Sequence, residues 1–440
     1  MRSVIPDLNE TDVEDSPIRD AYRRLTPGSA RAHEQAARWI AGGTSRQSSY
    51  WKPYPLTIVK GTDSRVWDID GNCYIDIINN FTALVHGHAY PPVVDAVRDF
   101  LPNGHLWAAN NVHQTELAEL ICRRVRSVSA IRFCNSGSEA SNLGLKLVRT
   151  ATGRRKVLMA RFGYHGMVPE FESGSMNQCG PDTFVGDFNS AQSFEAVLDE
   201  FGQEIAGVFL EPMLGAGGVL VGDSDFFFRV AKATREAGAL FVLDEVQTFR
   251  LAEGGLQALL DVEPDLTLFG KFIGGGFPAG AVGGNAEVMA VLDPDHLRAY
   301  HSGTFNGNPI SMLAGALTVR DLTAAKIDHM TNLAIRLKEG LLRAAQQVGL
   351  PLAVNQTGSL LNVFLMPEAP PTAWQRTDED TSRRFHLAAL NHGVFFARRG
   401  FMVLSTCMTP GLIDEIVDRC RAALEDVARE APPAAASAHS

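Results

Sequence analysis

Five short apolar runs, at residues 131–134, 156–160, 205–210, 239–243 and 266–269, recur along the middle of the chain with helical patterns between them. Runs of this kind, bounded by turn signals and nearly continuous in apolar side chains, suit strands covered on both faces. Their alternation with helices implies βαβ units, and so an α/β fold built on a mostly parallel sheet with helices on both faces. In such folds the ligand crevice opens at the carboxyl ends of the strands. Asp244 stands immediately past the run 239–243, and Lys271 just past 266–269, so both are expected to face that crevice.

The rest of the chain divides around this region. Residues 1–75 read as part of a small domain, with a helix near 29–40, a Gly42-Gly43 break, strands near 56–60 and 66–69, and Asp70-Gly71 as a hairpin turn. Residues 76–325 form the large domain. Residues 326–430 hold a long helix at 331–348, strands near 359–365, 394–397 and 402–405, and a last helix near 412–428; with the first segment they are expected to complete a small α/β domain. The opening 17 or so residues and the Ala/Pro/Ser segment 431–440 have little to bury and are expected to be disordered.

A net charge of −10 argues against a nucleic-acid or anionic-membrane surface, so an anionic substrate would need a few placed arginines. No stretch approaches the roughly 20 apolar residues that span a bilayer, and the acidic N-terminus lacks an apolar core, which points to the cytoplasm. The six cysteines show no metal-ligand spacing, and His86 and His88 have no third ligand at a recognisable distance, so no metal is expected.

A second constellation runs from Phe133 to Ala140, where a strand passes into a helix through Ser136-Gly137-Ser138. Free amides and the positive end of the helix dipole at such a turn suit a phosphate. Ser136-x-x-Glu139 equally has the spacing of a capping box, and the two roles are compatible. Nucleotide motifs do not compete: Phe269-Gly270-Lys271-Phe272 lacks the earlier glycine and the Ser/Thr of a Walker A loop, and the glycines at 215, 217 and 218 lack the third member of the dinucleotide fingerprint. Gly274, Gly275 and Gly276 suggest either close passage of backbone past a bulky ligand or unusual dihedrals. A lysine, an aspartate and a phosphate turn at one sheet edge are together what pyridoxal 5′-phosphate (PLP) needs, the lysine joining its aldehyde and the aspartate keeping its ring nitrogen protonated.

These blocks, with Tyr164-His165-Gly166, Leu210-Glu211-Pro212, Leu243 to Thr248, Pro264 to Gly276 and Ser302 to Pro309, stand in an order that resembles the class III aminotransferases of PLP-dependent fold type I. The resemblance covers about residues 36–428. It implies Lys271 as the cofactor lysine, Asp244 at the ring nitrogen, Ser136, Gly137 and Ser138 at the phosphate, Tyr164 stacked on the ring and Gln247 near its hydroxyl. It also implies a homodimer in which Thr304 reaches the neighbouring subunit's phosphate.

Within the family, Ala41 to Arg46 and Arg399 to Ser405 are similar to the β-amino-acid (β-phenylalanine) aminotransferases, in which arginines at these two places hold substrate carboxylates. Arg399 and Arg46 are the corresponding residues here. A planar guanidinium recognises a carboxylate bidentately, and its long stem can swing aside when an apolar group takes the same space. The resemblance therefore implies transfer of an amino group from a β-amino acid, of aromatic type, to a 2-oxo acid such as 2-oxoglutarate or pyruvate. The alternatives are an aminomutase of the glutamate-1-semialdehyde type, which the chain also resembles, and a PLP-binding dimer without catalysis. Phe81, Val85 and Tyr90 are read as side-chain pocket, core or dimer contacts.

Overall fold

The computed structural model describes residues 16–171, 180–371 and 375–430. They divide into two compact units, one of Asn80–His329 and the other of residues 16–79 together with those from Met330 onward. The segments 1–15 and 431–440, expected to be disordered, lie outside the described residues, as does Cys179. Among the described residues, Cys73, Cys122, Cys134, Cys407 and Cys420 are free thiols, and no helix is long and apolar enough to cross a membrane.

The first unit is organised by seven strands: β1 (Ala130–Cys134), β2 (Lys156–Ala160), β3 (Thr183–Gly186), β4 (Ile205–Leu210), β5 (Leu240–Asp244), β6 (Leu266–Gly270) and β7 (Gly280–Gly284). Their spatial order is β1-β7-β6-β5-β4-β2-β3. All neighbours pair in parallel except β7, which lies antiparallel between β1 and β6.

Because side chains alternate along a strand, each central strand feeds two cores. Met159, Phe209, Val242 and Leu268 point to one face and pack with Leu143, Leu147 and Val148 of the helix Gly137–Thr152. Leu158, Val208, Leu210, Phe241 and Leu243 point to the other, against Phe194, Phe226, Phe227 and Val230 of the helices Ala191–Phe201 and Ser224–Glu236. Full burial of such a side chain contributes roughly 1.5–3 kcal/mol. These strands are therefore apolar throughout, as the runs suggested.

Two strands of the sheet, β3 and β7, were not legible as apolar runs. The sequence of β7 is Gly-Ala-Val-Gly-Gly, poor strand material by propensity. Its neighbours explain the composition. A Cβ on Gly280 would lie 2.1 Å from the Ser136 carbonyl oxygen, and one on Gly283 would lie 2.6 Å from the Val128 side chain. Only glycine admits this close approach, which draws β1 and its terminal turn against β7 and β6.

The second unit holds a four-stranded sheet, Ile58–Thr62, Arg65–Asp68, Cys73–Asp76 and Val394–Phe395, the last pair parallel. A three-stranded antiparallel sheet is made by Ala353–Thr357, Leu360–Phe364 and Phe401–Val403. Tyr22, Trp51 and Ile75 from the beginning of the chain share one core with Leu337, Phe385, Leu390, Ile416 and Leu424 from its end.

Candidate active site

The carboxyl ends of β1, β2, β4, β5 and β6 lie at one edge of the large sheet, as parallel pairing and the lone antiparallel β7 require. Asp244 closes β5 and faces Leu268 of β6 in register, two residues before β6 ends at Gly270. Lys271 follows in left-handed backbone, φ 53°, which costs a residue with a side chain free energy of order 1–3 kcal/mol and is retained where surroundings over-determine it. Gly275 and Gly276 have φ values of 60° and 94°, and a Cβ on Gly275 would lie 2.4 Å from the Ala314 carbonyl oxygen. Unusual dihedrals and close backbone packing therefore account for these two glycines.

Asp244 is buried, with one carboxylate oxygen accepting the Val246 N–H at 3.0 Å and the other 2.9 Å from His165 Nδ1. His165 is buried as well. Burial disfavours its charge, but the hydrogen bond and charge of Asp244, with help from Glu211, outweigh that and raise its pKa. The hydrogen bond in turn holds Asp244 in place. Glu211, the residue after β4, accepts the amides of Tyr164 at 2.8 Å and Gly215 at 3.3 Å. Burial, reinforced by Asp244, pushes its pKa up to about 7, while His165 and the two amides pull the other way. The amine of Lys271 sits in the same field: burial lowers its pKa, partly countered by Asp244 and Glu211.

His165 and Glu211 were quoted in the sequence only as parts of longer blocks, without roles. Glu211 carried the same signal that marked Asp244, an acid directly after an apolar run. His165 lies five residues past the end of β2, and nothing in its spacing announces its partner.

The turn after β1 shows the cap read for it and leaves the first amides of the helix unused. Ser136 caps the helix Gly137–Thr152, its Oγ accepting the Glu139 N–H at 3.1 Å, while Glu139 takes the Asn135 N–H at 2.9 Å. The cap uses the third amide of the helix. The amides of Gly137 and Ser138 are its first two, which no helix can satisfy internally. Ser138 Oγ accepts the Met167 N–H at 3.0 Å, and a Cβ on Gly166 would lie 2.4 Å from the same oxygen. That contact brings the Tyr164-His165-Gly166 segment against the turn. Tyr164 is 43% exposed, an aromatic left uncovered beside buried acids. Gln247 lies over Gly215, whose Cβ would meet its Oε1 at 2.3 Å. Thr304 is exposed, on a loop tied to the same turn by Asn135 Nδ2 donating to Asn306 Oδ1 at 2.8 Å. Val85 and Tyr90 line a cavity of about 190 Å³ with Gly275, Gly276 and Thr318.

Lys271, Asp244, Ser136, Gly137, Ser138, Tyr164, Gln247 and Thr304 thus all belong to the first unit, whereas Arg399 and Arg46 belong to the second. Arg399 is half-buried in the turn before the strand Phe401–Val403. Burial, with Arg398 and Arg376 nearby, lowers its pKa to about 10, so it keeps its charge at neutral pH. Arg46 is exposed and donates to Ser49 Oγ at 2.7 Å.

The protonation of Glu211 has a measurable consequence. A carboxyl whose folded pKa exceeds its unfolded value stabilises the fold fully below the unfolded value, near 4.5, and that contribution is lost as pH rises through about 7. The difference of 7 − 4.5 pH units corresponds to a loss on the order of 3 kcal/mol. Glu211→Gln should remove this decline, so that between about pH 5 and about pH 8 it gains that amount relative to the parent. Urea unfolding of the apoprotein at the two pH values measures it; an identical pH response in both proteins would refute the buried proton.

The family model for aminotransferase class-III matches residues 47–188 and 175–427. The chain is 38% identical over 412 residues to the β-phenylalanine transaminase of Variovorax paradoxus, covering 92% of this chain and 94% of that one. It is 32% identical over 421 residues to the glutamate-1-semialdehyde 2,1-aminomutase of Aquifex aeolicus, covering 90% of this chain and 99% of that one. An ω-transaminase from Sphaerobacter thermophilus superposes with a TM-score of 0.89 at 34% identity, covering 93% and 99% of the two chains. The chain belongs to the class III aminotransferases, of PLP-dependent fold type I. It is accordingly an enzyme that uses PLP and acts on amino acids and keto acids.

Proposed function

We propose that the enzyme transfers an amino group from a β-amino acid, of aromatic type, to a 2-oxo acid, with both substrates taken in turn at one site. The observation that carries the reading is the juxtaposition at one sheet edge of a lysine amine with lowered pKa, a buried aspartate braced by His165 and a helix N-terminus. That donor set suits an aldehyde, a ring nitrogen and a phosphate respectively. When bound, PLP supplies the electron sink that lets a bond at the substrate carbon next to nitrogen break.

The chain's own residues do the remainder. The amides of Gly137 and Ser138, with the Ser136 and Ser138 side chains, would hold the phosphate; Tyr164 would cover the ring, and Gln247 would serve its hydroxyl. Asp244 would offer its carboxylate to the ring nitrogen and so favour a proton there. Lys271 Nζ would hold the cofactor covalently and, once free, would take and return a proton at the substrate carbon as general base and acid. Its lowered pKa helps, since only the neutral amine can accept that proton. Arg399 pairs with the substrate carboxylate and Arg46 assists it.

Thr304 reaches the phosphate of a partner subunit in the proposed homodimer. Its exposed loop carries Tyr300 and Phe305, 69% and 57% exposed, apolar surface that a second copy would cover. Light scattering that returned a monomer of the holoenzyme would remove Thr304 from the site.

The likeness to the Variovorax transaminase favours a β-amino donor, and that to the aminomutases favours a second reading, in which one substrate supplies both halves of the reaction. A panel of α-, β- and ω-amino compounds against 2-oxoglutarate and pyruvate decides between them. Turnover that neither needs nor responds to an added 2-oxo acid would make the enzyme a mutase. For Arg399→Ala we expect KM for carboxylate-bearing donors to rise roughly 10- to 100-fold, the cost of one lost charged hydrogen-bonding partner, with the cofactor spectrum intact. Unchanged KM values would reassign the carboxylate to another group.

A further inference from the structure

Behind Arg399 lies a buried ion pair that has no part in the proposed chemistry. Arg376 Nε and Nη2 donate to the two oxygens of Asp378, each at 2.7 Å, with side chains only 4% and 3% exposed. Asp378 Oδ2 also accepts the Leu365 N–H at 2.6 Å and the Ser382 hydroxyl at 2.8 Å, so the carboxylate is fully engaged. The guanidinium lies over the Phe364 ring, 5.3 Å from its centre. Its remaining nitrogen, Nη1, donates at 2.7 Å to the carbonyl oxygen of Arg399, which also receives Asn362 Nδ2 at 3.3 Å. The next residue, Gly400, has φ 89°, and a Cβ there would lie 2.2 Å from the Val363 carbonyl oxygen. The main chain on both sides of the Arg399 carbonyl is thereby fixed to the strand Leu360–Phe364.

A buried ion pair adds little stability over an apolar pair of the same shape, so its presence here calls for another reason. Arginine alone has a rigid fork able to grip a carboxylate and a carbonyl at once.

We propose that Arg376 is a positioning residue for carboxylate recognition: held by Asp378, it clamps the Arg399 carbonyl and so presents the Arg399 guanidinium to carboxylate-bearing substrates. The proposal rests on the reading of Arg399 as the carboxylate anchor, and the experiment separates the two. The holoenzyme is mixed with β-phenylalanine, or with 1-phenylethylamine, the same amine without its carboxylate, and the amine half-reaction is followed by cofactor absorbance. Binding of 3-phenylpropanoate, which has the carboxylate but no amine, is measured by calorimetry.

Arg376→Gln should raise the half-saturating concentration of β-phenylalanine and the Kd of 3-phenylpropanoate about tenfold, while 1-phenylethylamine shifts less than about twofold. Arg376→Lys, which keeps the buried charge but not the fork, should show the same selectivity and serves if the glutamine variant fails to fold. In an Arg399→Ala background the Arg376 substitutions should add nothing, the non-additivity of residues acting through one another. Equal effects on both amines would overturn the proposal and leave Arg376 a structural staple. If Arg399→Ala weakens both carboxylates but the Arg376 variants do not, the positioning role alone falls. If Arg399→Ala weakens neither, the anchor and the proposal fall together.

Discussion

Lys271→Ala should lower transamination by about four orders of magnitude or more, the scale on which enzymes lose activity when a covalent and proton-transferring group is removed. The argument starts from position. Lys271 follows the carboxyl end of a strand whose every residue is buried, in a left-handed backbone that only a rigid surround would hold. Its amine loses water and titrates below the ordinary lysine value, so a larger fraction is neutral and able to take a proton. On the proposed reading, alanine removes the covalent anchor and the proton carrier together. The phosphate turn, Tyr164 and Asp244 remain, so the variant should still bind PLP. Rapid mixing with an amino donor and product analysis test both halves of the expectation. Residual turnover above about one per cent of the parent would show that another group carries the proton.

Asp244→Asn should cost about a thousandfold in kcat/KM, within the range found when a charge that favours the transition state is neutralised in a water-poor site. Asparagine keeps the shape, and its oxygen can still accept the Val246 N–H. What it lacks is the negative charge that, on the proposed reading, would favour a proton on the ring nitrogen. The substitution also acts on His165, whose raised pKa depends on the hydrogen bond and charge of Asp244 against burial. With that support gone, burial should prevail and His165 should become neutral at pH values where it is now charged. Steady-state kinetics and the imidazole resonances of His165 therefore report on the same pair from two sides. A variant within tenfold of the parent, or an unmoved His165, would remove Asp244 from the ring nitrogen.

The two residues that matter most in these experiments were visible in the sequence, and others of equal structural weight were not. Asp244 and Lys271 were marked because each follows an apolar run, and a run buried on both faces is a local property that neighbouring residues write together. The strand Gly280–Gly284 escaped because its glycines answer to the Ser136 carbonyl and the Val128 side chain, residues remote in the chain. The helix Pro309–Asp321 is buried nearly all round, so it lacks the one-sided pattern by which helices are read. Ser136 could be read as a cap from its spacing to Glu139, because capping is also local.

From the sequence alone came five of the seven strands of the large sheet, the acid and amine at strand ends, and the capped turn read as able to receive a phosphate. Each depends on residues within a few positions of one another. The tertiary structure decided that His165 braces Asp244 from 79 positions away, that burial pushes the Glu211 carboxyl up from its ordinary value, and that Arg376 grips the carbonyl of Arg399 from 23 positions away. Those contacts depend on which strands become neighbours and how deeply they are buried. No spacing in the chain encodes that, because β4 comes to lie beside β5, and β2 beyond it, only once the sheet order β5-β4-β2 has formed.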